Sequence, residues 1–167
     1  MKKYIFRKYS RKYSKLYKIE RNKLLKILPR NAEIEHIGST AVPGLGGKGI
    51  LDLIVGVNKS KLLLTRDKLI DAGYIFKDKA GGKNRLFFEK DYVHRKKTRR
   101  VHIQLTIKLS KVWREAITFR NFLKENLKLA KEYELVKKKA VRHARGKGEL
   151  YRKYKHKFIQ NILRKAE

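Results

Sequence analysis

Asp52 stands alone in an apolar run, GILDLIVGV (49–57), directly after HIGSTAVPGLGG (36–47). A carboxylate in such a run costs free energy unless it is paired or holds a metal. The preceding stretch supplies the complementary chemistry. Gly38–Ser39 permits a sharp turn and a close backbone approach to a ligand. Ser39 and Thr40 offer hydroxyls and main-chain N–H groups at a helix start, where phosphate is favoured. Lys48 follows and can neutralise that phosphate. An acid beside a phosphate cradle is a usual way to hold Mg²⁺. The structural alternative is an Asp52 paired with a lysine or capping backbone amides. The spacing of a Walker phosphate loop is absent.

These residues need elements to position them. AEIEHI reads as a short strand ended by Gly38. GILDLIVGV reads as a second strand, apolar on both faces and therefore flanked by other strands. Leu16, Ile19, Leu24, Ile27 and Leu28 fall at helical spacing before Pro29, so a helix is expected from Leu16 onward. KLLLTRDKLIDAGY predicts a helix stopped by Gly73. RLFFEKDYV and RRVHIQLTI predict two strands, with HRKKTRR (94–100) filling the turn. That turn is either an exposed tip or a phosphate-contacting loop. From Trp113 the pattern is helical. Phe119, Phe122, Leu123, Leu127, Ala130 and Tyr133 form one apolar stripe. HARGKGE interrupts it, and Tyr151, Tyr154, Phe158 and Ile162 share one side of a last helix. With no repeat and no linker, a single α+β domain over 1–167 is expected. Tyr4, Phe6, Tyr9 and Tyr13 alternate with Lys and Arg. They read either as a basic flexible arm over 1–15 that stacks on bases or as tyrosines packed on the domain.

Composition bounds the function. The chain has 167 residues, 46 Lys+Arg against 15 Asp+Glu, and a net charge of +31. Ion-pair networks would raise Glu along with Lys, so the excess points to a polyanion partner, with RNA the expected one. Cysteine is absent, which removes disulfides, thiolate metal sites and a Cys nucleophile. No apolar run is long enough to span a membrane, and the Lys/Tyr-rich start lacks the apolar core of a signal peptide. A cytoplasmic location is the expectation.

The stretch IEHIGSTAVPGLGGKGILDLIVGV closely resembles the signature of the GrpB family of uncharacterised, UPF0157-type proteins. RLFF resembles the family's Arg-aromatic strand, beginning at Arg85. VHIQL resembles its His-x-His strand. FRNFLKENLKLAKEYELVKKKA resembles its Phe-Arg-Asp helix and the Lys-rich stretch that follows. YRKYKHKFIQNIL resembles its closing helix. The resemblance implies the nucleotidyltransferase superfamily and a DNA-polymerase-β-like fold, an α+β mixed sheet flanked by helices with further helices at the C-terminus. It also implies a nucleotide triphosphate held at Gly38, Ser39 and Thr40, with Lys48 and Arg100 offsetting its charge. Asp52 would be the catalytic and metal-binding carboxylate for Mg²⁺, and Glu35, His36, Arg85, His102 and Gln104 would be auxiliary. The superfamily pairs such an acid with a second one two residues on, where this chain has Ile54, and a third near His102 or Gln104. Gln104 stands where the family has its second histidine, and Gly49 where it has proline.

Two functions follow. One is Mg²⁺-dependent nucleotidyl transfer to an unknown acceptor, carried by an incomplete set of carboxylates. The alternative is a non-catalytic RNA- or ribosome-associated basic protein that retains the fold.

Overall fold

A computed structural model describes residues 5–166; Tyr4 lies outside them. The chain runs α1 (Lys12–Leu25), β1 (Glu33–Ile37), β2 (Leu51–Val57), α2 (Leu62–Asp71), β3 (Ile75–Phe76), β4 (Leu86–His94), β5 (Lys97–Ile107), α3 (Lys111–Glu125), α4 (Leu127–Ala144) and α5 (Gly148–Ala166). The strands form one sheet in the order β1-β2-β5-β4-β3. β1 pairs antiparallel with β2, and β2 pairs parallel with β5. β4 and β3 continue the sheet antiparallel.

Strand alternation sorts the chain between two faces. Leu51, Leu53, Val55 and Val57 of β2 join Val101, Ile103 and Leu105 of β5 against Leu16, Leu24 and Leu69 of α1 and α2. This is the main core, and it explains why β2 is apolar on both faces. The opposite face carries Asp52 and Ile54, and α3–α5 cover it. Ile54 is fully buried with Ile37 and Trp113. The position where a second acid was expected is therefore core.

Three sequence expectations shift. The first helix starts at Lys12 rather than Leu16 and ends at Leu25, so Ile27 and Leu28 follow it. The turn over 94–100 shrinks to Arg95 and Lys96, both with positive φ, because the flanking residues pair into the ladder. The stripe from Phe119 to Tyr133 spans two helices. The Asn126 side chain donates to the Phe122 carbonyl at 2.9 Å and closes α3, leaving Leu127 68% exposed. Residues 5–11 run beside the loop after β1, where Arg7 and Gly47 exchange backbone hydrogen bonds of 2.6 and 2.9 Å. No helix among the described residues is long and apolar enough to cross a membrane.

Candidate functional site

The loop from Gly38 to Gly49 joins β1 to β2 and closes over the Asp52 face. Gly38 has φ +72°, and a Cβ there would lie 2.7 Å from Asp52 Oδ2. Only glycine lets the chain turn this tightly against the carboxylate. Ser39–Ala41 then form a single 3₁₀ turn. Ser39 Oγ and the Lys137 ammonium both face Gly47, whose lack of a side chain leaves room for them. Thr40 is buried, and its hydroxyl meets His36 Nε2 at 2.9 Å. It thus serves the turn's own structure.

Asp52 pairs in register with His102 across β2 and β5. His102 Nδ1 lies 3.1 Å from Asp52 Oδ1. The Phe87 ring packs edge-on against His102 at 4.9 Å. Next along the face, Arg85 donates to Gln104 Oε1 at 3.3 Å. Both line a cavity of 210 Å³ between the sheet and α3 and α5, with Val112, Ala116, Phe119 and Ile159 and with the polar Glu115 and Gln160. Arg100 is farther out, in a two-pronged ion pair with Asp91 at 2.7 and 2.8 Å. That pair lowers the Asp91 carboxyl below its usual range.

The remaining auxiliary residues do other work. Arg120 of α3 ties Glu35 and donates to the His36 carbonyl at 2.9 Å, so Glu35 clamps helix to strand. His36 points to the other face and stacks on Tyr17 at 4.8 Å. Burial lowers its pKa to about 4, so it is neutral at pH 7. Asp52, His102, Ser39 and Lys48 are brought together, with Arg85 and Gln104 alongside. Glu35, His36 and Thr40 are held apart from them by their own partners.

Residues that sequence reasoning missed complete the site. Lys137 of α4 is 3% exposed, donates to the Gly46 carbonyl, and lies over the Tyr133 ring at 5.0 Å. Burial, then the charge of Lys155, pull its pKa from 10.5 to about 7. Lys155 of α5 is lowered to about 8 by burial and the charge of Lys48. Lys48 is lowered by burial, against the upward pull of Asp52. Lys48 and Lys155 sit over the same Tyr151 ring, at 4.5 and 4.2 Å. Arg152 adds its field to Lys48, Lys155 and Arg85. Glu134 fixes the loop by accepting the Gly46 N–H at 3.0 Å. Asp52 therefore sits amid three partly or fully buried lysines and an arginine, with Glu134 the second carboxylate that acts on Lys137.

This donor set does not fit two metal ions. Among the described residues no group of three or more His, Asp or Glu side chains could hold a metal. Glu89, opposite His102 in the β4–β5 ladder, is paired with Lys77 at 3.1 Å. Two-metal sites need several carboxylates to offset four positive charges. The balance here already favours cations.

A family model described as GrpB protein matches residues 4–165. The chain is similar to the glutamate-rich protein GrpB of Alkalihalophilus pseudofirmus, 28% identical over 159 residues, covering 93% of this chain and 91% of that protein. It is 31% identical to UPF0157 protein SCO7215 of Streptomyces coelicolor over 134 residues, covering 78% of this chain and 66% of that protein. The crystal structure of the conserved protein GrpB from Enterococcus faecalis superposes with a TM-score of 0.79 and 28% identity, covering 97% of this chain and 96% of that one. The poly(U) polymerase Cid1, solved with Mg and 3′-dATP bound, superposes with a TM-score of 0.52 at 19% identity, covering 78% of this chain and 42% of that one. This last likeness gives the fold alone, which is nucleotidyltransferase-like.

Proposed function

The chain belongs to the GrpB family, and from that premise we propose that its Asp52 face binds a nucleotide triphosphate on lysines rather than on a two-metal carboxylate cage. The observation that carries this reading is the convergence of Lys48, Lys137 and Lys155 on one acid. Burial lowers the pKa of all three, Lys155 adds to the lowering of Lys137 and Lys48 to that of Lys155, so a bound anion would favour their charged forms. A polyphosphate is a counter-anion of matching charge and length. The Gly38–Ser39 turn presents main-chain N–H groups to it, and Lys48, Lys137 and Lys155 surround it. The cavity lined by Arg85, Gln104, Glu115 and Phe119 is where the base would lie. In this reading the protein binds the nucleotide without transferring it, since nothing at Ile54 completes the acid set.

The second reading is Mg²⁺-dependent nucleotidyl transfer to an unknown acceptor. Asp52 and its partner His102 favour it, because a Mg²⁺ arriving with the triphosphate needs only one or two protein carboxylates. Mg²⁺ would there polarise the phosphate. A cytoplasmic location fits either reading.

Thermal melts with ATP separate them. In EDTA, ATP at about 100 times its Kd is expected to raise the melting temperature by roughly 5–10 °C. Asp52→Asn should keep that shift or enlarge it, because a negative charge beside the phosphates is gone. A shift that requires Mg²⁺ and disappears in Asp52→Asn would replace the binding reading with the transfer reading. No shift under any condition would remove both.

A further inference from the structure

The opposite face of the sheet carries a second concentration of positive charge. A cavity of 180 Å³ opens between the start of α1 and the β4–β5 hairpin. Lys12, Lys15 and Leu16 line it from the helix, and His94, Arg95, Lys97 and Arg99 from the hairpin. No acid lines it, and none of the ion pairs among the described residues involves these six bases. Arg99 Nε is buried with no hydrogen-bond partner, alone in this among the described residues. No ion pair or hydrogen bond among the described residues therefore fixes the Arg99 guanidinium by its Nε, which leaves the group's charge to the cavity it lines.

The hairpin adds an independent observation. Arg95 and Lys96 have φ +50° and +61°. A two-residue turn of this shape favours Asn-Gly, since side chains strain at positive φ. Strained positions persist where function holds them. Here they hold Arg95 in the cavity wall, with Lys96 next to it in the turn. The first turn of α1 also contains no acid, so its positive end is not offset there.

We propose that this cavity seats a backbone phosphate of a nucleic-acid strand, with Arg99 beneath it and Arg95, Lys96 and Lys97 following the chain. The Arg99 guanidinium lines the cavity, and a guanidinium matches phosphate in two-pronged geometry. A strand fits better than a lipid surface. The cavity is recessed, so the anion must protrude from its carrier, and the turn bears two cations where a membrane-inserting tip would bear apolar anchors. The site lies across the sheet from Asp52 and does not depend on the nucleotide reading.

The test is fluorescence anisotropy with a labelled single-stranded RNA oligonucleotide of mixed sequence, titrated across salt concentrations. The double variant Arg95→Asn/Lys96→Gly keeps the turn, relieves its strain and removes two charges, so it should melt higher than the parent. It should nevertheless bind RNA about tenfold more weakly, with a salt slope shallower by about one per lost contact. Arg99→Gln should weaken binding independently. Lys128→Gln/Lys131→Gln, which removes the same charge from the exposed side of α4, should leave affinity within about twofold. Equal losses in the α4 and hairpin variants would mean that the charge acts diffusely and would overturn the proposal. So would unchanged RNA binding in the hairpin variants, or a loss confined to vesicles of anionic lipid. An equal loss with single-stranded DNA of the same sequence supports it and assigns recognition to the phosphodiester backbone; a loss with RNA alone supports it and adds a ribose contact.

Discussion

Lys137 is the residue on which the Asp52 face turns. Its ammonium is buried beneath the Gly46 carbonyl, and burial makes the charged form costly. Replacing a buried ion by an apolar side chain of similar length is often neutral or stabilising. Lys137→Met is therefore expected to leave the ligand-free melting temperature at pH 7 unchanged or higher, while removing most of the ATP-induced shift. A variant that melts lower and still responds fully to ATP would make Lys137 a structural residue. Nothing in the sequence announced this role. ELVKKKAVRHA reads as a solvated basic face, and only the packing of α4 under the 46–49 loop buries one of its lysines. The Asp52–Gly38 relation was legible, because a lone acid after a Gly-Ser turn is a local pattern. The His102 contact depended on strand register, which local pattern does not specify.

At the scale of elements, the β1–β2 connection is the least forgiving part of the fold. Gly38 combines positive φ with an Asp52 carboxylate that an added Cβ would meet at 2.7 Å. Gly38→Ala should cost about 2 kcal/mol or more, from backbone strain plus displacement of Asp52. Urea unfolding would measure it, and ATP binding should weaken in parallel if the turn seats the triphosphate as proposed. Gly44→Ala is the contrast. Its φ is also positive, but a Cβ there meets nothing within 4 Å, so only the strain remains. The sequence marked this loop, and it marked the α2 stop, where Gly73 has φ +84°. It did not mark the break between α3 and α4. That boundary has no glycine or proline and is closed by the side chain and backbone N–H of Asn126, both donating to the Phe122 carbonyl. The hairpin was misjudged for a related reason. Seven polar residues resemble a loop, yet antiparallel pairing tolerates charged side chains on an exposed strand end.

For the whole molecule, a net charge of +31 and the buried lysines act in the same direction. Lys137 titrates at about 7 in the fold against an ordinary 10.5, and Lys155 at about 8. Between those limits the unfolded chain binds more protons than the native one, so stability rises with pH. The ligand-free protein should therefore melt several degrees higher at about pH 9.5 than at pH 7, in a buffer free of phosphate. Above pH 10 the trend should reverse. Burial raises the Tyr74 and Tyr133 hydroxyls above their ordinary 10.0, so the unfolded chain loses those protons first. Lys137→Met should flatten the rise from its lower end. On the proposed reading ATP acts in the opposite direction, because it would bind the protonated lysines and stabilise most at pH 7. Saturating ATP should consequently shrink or invert the pH dependence of melting. A rise that ATP leaves untouched would separate the buried lysines from the anion site and return the Asp52 face to a structural role.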